Sequence, residues 1–227
     1  MIRLILLVAG ILLSVGLELP VISGAIAAES AVSYVPPVRG APVRRIGGAS
    51  RGADQNLPRL VALTPEHAGY TLKEQPTLYW YISGPTQVKV EITLIEEGKE
   101  NALVEMPIDK VTGPAIHALP FAKLGIRLKK GVEYQWTVAL VPNENERSND
   151  VISGGVIKLW EGPIPAGTET GGQPASLAQA EALARGGIWY DAMETLNVLA
   201  AVSPSDEPVR RIRKAFLEDA GLSDVTD

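Results

Sequence analysis

The sequence predicts a mainly β protein: an antiparallel sandwich of seven to eight short strands, followed by a small α-helical C-terminal segment. Three observations carry this. Between residues 57 and 160, short runs of alternating apolar and polar residues recur about every dozen positions, separated by Gly, Pro and polar turns. Within that region Leu128–Val141, LKKGVEYQWTVALV, reads as a strand that puts Tyr134, Trp136, Val138 and Leu140 on one face. Beyond residue 175 the apolar period lengthens to that of a helix.

The chain opens on an export signal. Met1 and Arg3 give a positive start, Leu4–Leu17 is apolar, and Ala25-Ile26-Ala27 offers small residues for cleavage after Ala27. The apolar run is shorter than the roughly 18–20 residues a spanning helix needs, and Glu18 interrupts it. A periplasmic or secreted location follows, with an uncleaved N-terminal anchor as the alternative. Residues 28–56 read as an extended leader rich in arginine and glycine. Its segment RGAPVRRIGGASRG carries Arg39, Arg44, Arg45 and Arg51. Guanidinium forks suit carboxylates and phosphates, so these are candidate binding residues; a solvated linker is the alternative.

The strand region, 57–160, begins with Arg59–Leu63 and Tyr70–Lys73. Thr77–Ser83, TLYWYIS, follows, with Leu78, Trp80 and Ile82 on one face. Val88–Ile95 alternates, and the turn Glu96–Lys99 leads into Ala102–Met106. Ala115–Leu119 lies between prolines. Tyr134–Val141 is the central strand, and Val151–Trp160 closes the set, with Gly154-Gly155 suggesting a bulge. Leu128, Gly131 and Tyr134 have the spacing of a tyrosine corner, which favours an immunoglobulin- or fibronectin-like sandwich. Trp80 and Trp136 are its expected core, and Tyr134 and Gly131 its structural corner.

Residues 161–174 form a Gly/Pro/Thr linker. The tail, 175–222, reads as three helices: Leu177–Arg185 capped by Ser176 with Gln179, then Ile188–Val202, then a helix from about Asp206 to Gly221. Residues 223–227 read as disordered. Gly187, Trp189, Ala192, Leu196 and Pro204 resemble the second half of a tetratricopeptide repeat, and Gly187 to Gly221 spans its 34-residue period. Arg210 and Lys214 stand where packing residues of a next copy belong. So short a solenoid piece needs a neighbour: the sandwich, a second copy or a partner. Trp189 and Tyr190 are its candidate contact residues.

Taken in order, RGAPVRRIGGASRG, LVALTPEHAGYTLKEQPTLYWYI, LKKGVEYQWTVALV, RSND and GIWYDAMETLNVL resemble domain of unknown function family number 928, known best from cyanobacteria. The resemblance covers about residues 39–222. It implies an exported envelope protein and supplies neither catalytic residues nor an activity.

Composition limits the chemistry. With no cysteine, disulfides and thiol catalysis are excluded. A net charge of −5 argues against non-specific nucleic-acid binding. The two histidines, His67 and His117, lie 50 residues apart and outside metal-ligand spacing; His117 is expected to face solvent. No cofactor or metal is implied, and no catalytic set converges. In the RSND loop, Arg147 is a candidate to pair with a carboxylate or to bind a ligand, and Asp150 to cap the turn. The reading is a non-enzymatic binding or assembly module of the envelope, with a protein partner or self-association through the helical tail, and no integral span after signal removal. Two others stay open: a periplasmic domain sensing an anion or small ligand through Arg44, Arg45 or Arg147, and a hydrolase using loop carboxylates such as Glu96 and Asp150.

Overall fold

The computed structural model describes residues 33–37, 45–47, 57–108, 111, 113–168 and 174–225. The export signal and Arg39, Arg44 and Arg51 lie outside them. Eight strands follow in order: β1 Leu60–Ala62, β2 Gly69–Thr71, β3 Thr77–Ile82, β4 Lys89–Glu96, β5 Val104–Ile108, β6 Ala115–Pro120, β7 Glu133–Val141 and β8 Val151–Leu159. Three helices close the chain: α1 Leu177–Arg185, α2 Trp189–Val202 and α3 Glu207–Asp219. One sheet has the order β1-β3-β6, the other β2-β8-β7-β4-β5. All pairs are antiparallel except β2 on β8, which is parallel, a departure from the expected pattern. The cause is the Thr64-Pro65 break: the chain leaves one sheet after β1 and joins the other at β2.

The alternation read from β7 is the core itself. Tyr134, Trp136, Val138 and Leu140 are each fully buried, beside Val90, Ile92 and Leu94 of β4. Leu78, Trp80 and Ile82 of β3 are buried with them. The Ala62 N–H donates across the sheets to Ser153 Oγ at 2.8 Å. The corner before β7 closes as its spacing implied. Gly131 takes a left-handed φ of 75°, and the Lys129 N–H donates to Tyr134 Oη at 3.1 Å. A Cβ at 131 would be strained by that φ, which is the reason for glycine there.

Two local expectations are corrected. Gly154-Gly155 makes no bulge, because β8 stays in register with β7 through Thr137–Gly154 and Trp136–Gly155. The glycines are needed for close approach instead: Ile46 bridges to Gly154, and a Cβ on Gly155 would lie 2.5 Å from the Thr64 side chain. His117 does not face solvent. It pairs with Trp80 and stacks on its ring at 5.6 Å, and burial pulls its imidazole pKa down.

All six residues of β3 are buried, although only alternate ones face the core, because α2 covers the outer face. Thr77 donates to Glu194 Oε1 at 3.3 Å. Helices α1 and α3 have the caps their sequence requires. Ser176 Oγ accepts from the Gln179 N–H, and the Asp206 carboxylate from the Val209 N–H. What holds them to the sheets is the first turn of α2. Trp189 Nε1–H donates to the Leu63 carbonyl at 2.9 Å. Tyr190 Oη accepts from Trp136 Nε1–H at 2.8 Å, bonds Thr64 Oγ1 at 3.0 Å and donates to the Val156 carbonyl at 3.2 Å. Asp191 Oδ2 accepts from the Leu72 N–H at 3.0 Å. Lys73 and Glu194 add an ion pair at 2.7 Å. The N-terminal strap ends on the same place: Tyr34 packs edge-on against Trp189 and Phe216, and bonds His67 Nε2 at 3.1 Å.

Substituting Tyr190→Phe leaves the Trp136 indole N–H and the Val156 carbonyl buried without this partner. Urea unfolding should record a loss of about 1–3 kcal/mol. Trp136→Ala should cost about 3–5 kcal/mol by the same assay. A Tyr190→Phe protein as stable as wild type would show that the hydroxyl does not join tail to core.

Candidate functional site

Of the arginine arm, Arg45 is the residue described, and its donors are spent inside the fold. Nε donates to the Thr64 carbonyl at 3.0 Å, Nη2 to the Ala220 carbonyl, and Nη1 reaches the Gly221 carbonyl at 3.4 Å. Arg45 thus ties the crossover after β1 to the C-terminal carbonyls of α3, where a cation also suits the helix dipole.

The RSND loop is a charge network at one end of the five-stranded sheet. Arg147 Nε meets Asp150 Oδ2 and Arg147 Nη2 meets Glu91 Oε2, both at 2.7 Å. Lys89 Nζ lies 2.6 Å from Glu91 Oε1 and 2.9 Å from Glu144 Oε1. Asp150 accepts the guanidinium rather than backbone N–H groups, while its own N–H donates to the Arg147 carbonyl. Glu91 is only 7% exposed, and its hydrogen bond to Lys89, then that to Arg147, hold its pKa below the usual carboxylate range.

Trp189 and Tyr190, candidates for partner contact in the sequence, are 0% and 1% exposed. Their rings pack inward and their polar atoms bond the sheets, so neither presents a surface to a partner. Burial pushes the Tyr190 phenol up to about 12, so it stays protonated and can donate. Glu96 and Asp150, the carboxylates of the hydrolase reading, stand at opposite ends of the sheet. β4 and β8 run the same way on either side of β7, and Glu96 ends β4 whereas Asp150 precedes β8. Seven residues of strand separate their levels on the order of 20 Å, against about 10 Å or less for two carboxylates flanking one bond. That pair cannot act together. Among the described residues no cluster of His, Cys, Asp or Glu could hold a metal ion.

A different part of the surface is open. Where the outer face of β3 and β6 passes under the end of α2, side chains become small: Ala118 on the sheet, Ala200 and Ala201 on the helix. Pro204 then turns the chain toward α3. The space left is an open groove of about 540 Å³ with Tyr79 and Ile116 on its sheet side. Among the described residues its polar groups are Tyr79, Asn197, Arg210 and Arg213, with no carboxylate. Arg213 Nη1 donates to Asn197 Oδ1 at 3.1 Å, and Asn197 in turn lies within hydrogen-bonding reach of Tyr79. Burial pulls the Arg213 pKa down and pushes that of Tyr79 up. On the other side of Arg210 and Arg213 lies a second groove of about 520 Å³, lined among the described residues by Arg211 and Lys214 as well and by Glu207. Val198 and Val202, one helical turn apart on α2, are 44% and 77% exposed beside the first groove.

Sequence reasoning missed Tyr79, Asn197 and Arg213, which come together only when α2 lies across β3. One signal was legible: Arg210 and Lys214 at repeat positions that should pack. A cation where a helix should be apolar marks a face turned to something else.

A family model described as Domain of Unknown Function (DUF928) matches residues 46–227. No curated protein matches the chain.

The Glu91 network yields a pH dependence of definite sign. Its carboxylate titrates lower in the fold than in the unfolded chain, so its stabilising contribution is complete above about pH 4.3 and is lost as pH falls through the depressed value. Glu91→Gln should therefore be less stable than wild type at pH 7, and the gap should close toward pH 3 in paired urea titrations. A gap that is constant with pH would exclude the carboxylate charge as its source.

Proposed function

The chain belongs to the DUF928 family, whose description assigns no function, and from its own surface we propose an exported, non-enzymatic binding or assembly module of the bacterial envelope. The groove between α2, α3 and β6 carries this reading. It joins an apolar floor, a cationic rim and donor groups, the combination expected of a binding site rather than of a reaction centre. The helical tail is the contact-bearing part, as the sequence suggested, but through the far end of α2 and the basic face of α3 rather than through Trp189 and Tyr190. Export rests on residues 1–27 alone, with cleavage after Ala27 and a periplasmic or secreted product. The described residues contain no helix long and apolar enough to cross a membrane.

Two finer architectural readings accompany it. An immunoglobulin- or fibronectin-type sandwich is supported by the Tyr134 corner and by β1-β3-β6 packed on a sheet centred on β7. A tetratricopeptide-like origin for the tail is supported by Gly187 and Gly221, one period apart with φ of 76° and 70°. A second functional reading, a domain sensing an anion or small ligand, is favoured by the cations of α3; of its sequence candidates Arg45 and Arg147 have partners inside the fold, and Arg44 lies outside the described residues.

The test is retention of a companion. Protein purified from envelopes should carry a bound species, protein or small molecule, detectable by native mass spectrometry. Ala118→Trp, which fills the groove at an exposed position, should lose it while unfolding at the wild-type temperature. Wild type and variant both emerging as bare monomers would overturn the module reading.

A further inference from the structure

We propose that Asp191 makes the seating of the helical tail proton-dependent: α2 is held to β2 and the residues after it most firmly when this carboxyl carries a proton, and the hold loosens as the carboxylate forms. What the groove binds plays no part in it.

Asp191 stands in the first turn of α2 and is 2% exposed. Its hydrogen bonds are to neutral groups: Oδ2 accepts the Leu72 N–H at 3.0 Å, and the Thr71 hydroxyl lies within reach. The cation of that segment is Lys73, and it is turned to another acid. Lys73 Nζ meets Glu194 Oε2 at 2.7 Å, at the solvent side of the junction. Glu194 lies one turn along α2 from Asp191, so two acids face one cation and the outer acid holds it. Among the described residues Asp191 itself makes no ion pair, and Lys73 and Glu194 are the charged groups that face it.

A carboxylate taken out of water without a paired charge is destabilised, and a proton removes the charge. The Thr71 hydroxyl can donate to the carboxylate or accept from the carboxyl, so that contact serves either state. Burial pushes the Asp191 carboxyl up, and the Glu194 charge adds to it. Thr71, Lys73, the Leu72 N–H and the start of the helix dipole favour the anion, and burial outweighs them. The folded chain thus keeps this proton to higher pH than the unfolded chain does. The stabilisation from Asp191 is complete below about pH 3.9, the range of an unfolded aspartate, and is lost as pH rises through the raised folded value. Glu91 acts with the opposite sign, since its contribution is lost as pH falls. The loss falls on the tail because Asp191, beside Trp189 and Tyr190, bonds the residue after β2, whereas β4 and β7 are held by pairing with each other.

Two measurements on the folded protein test this. Carboxyl 13C NMR, with Asp191 assigned through its backbone, should show its midpoint above the usual aspartate range near 3.9. A midpoint at or below that range would overturn the proposal. Hydrogen exchange followed by mass spectrometry, with rates corrected for the intrinsic effect of pH, should show α2 and the residues after β2 losing protection relative to β4 and β7 from about pH 4 to about pH 8. Asp191→Asn, neutral and of the same shape, should keep that protection flat. Glu194→Gln leaves Asp191 in place, removes the neighbouring charge and frees Lys73, so it should lower the Asp191 midpoint and shrink the loss. Tail protection that does not change with pH in the wild type, or an equal loss in Asp191→Asn, would sink the idea. So would a midpoint that Glu194→Gln raises.

Discussion

The fold turns on one buried hydroxyl. Tyr190 Oη meets the Trp136 indole from the central strand, Thr64 from the crossover and the Val156 carbonyl from β8, all within 3.2 Å. A phenol has one proton and two lone pairs, so this environment uses its whole capacity. Each partner belongs to a different part of the chain. The node therefore fixes the helical tail against the five-stranded sheet and the crossover after β1 at once, and room for the ring is made at Gly69, where a Cβ would fall 2.6 Å from it. Its neighbours extend the junction. Trp189 bonds the Leu63 carbonyl and Asp191 takes the Leu72 N–H, so three consecutive residues of α2 serve the segment around β2.

Anchoring a helix at one end decides what happens at the other. α2 is pinned through its first turn and crosses the outer face of β3. Over Thr77 and Tyr79 it is held by Glu194 and covers the sheet. Beyond Asn197 the facing residues are alanines, and Pro204 diverts the chain before anything fills the gap. The groove is thus a consequence of where α2 is fastened and of small side chains where it ends. Core and groove are made by the same helix, which is why substitutions in the first turn of α2 should act on stability and substitutions near its end on binding.

Much of this was visible in the residues. The alternation in Leu128–Val141 identified the core strand, and Leu128-x-x-Gly-x-x-Tyr the corner, because both depend on local geometry that sequence spacing expresses directly. The caps at Ser176 and Asp206 were legible for the same reason. What failed was non-local. WYDA read as a surface motif because a Trp-Tyr pair on a helix looks like an anchor for a partner; its partner is the chain's own crossover, brought there by tertiary packing. Gly154-Gly155 resembled a bulge because glycine in a strand marks either a bulge or a close approach, and only the position of Thr64 distinguishes them. His117 alternates with residues whose inward or outward sense depends on its pairing with Trp80.

The charges of α3 make a final argument. A helix favours acids at its start and cations at its end. Apart from the capping Asp206 and Glu207, α3 does the reverse: Arg210, Arg211, Arg213 and Lys214 occupy its first half and middle, and Glu218 and Asp219 its last turn. Arrangements against the dipole cost about 0.3–1 kcal/mol per charge near an end. The acidic end is accounted for within the fold, since Asp219 accepts the Tyr34 N–H at 3.0 Å and Arg45 covers the last carbonyls. At the basic end, Glu207 meets Arg210, Glu218 lies 3.8 Å from Lys214 and Arg213 donates to Asn197. In a chain of net charge −5, a helix whose cations stand against its own dipole is thus held by these local pairs and by its packing rather than by the dipole.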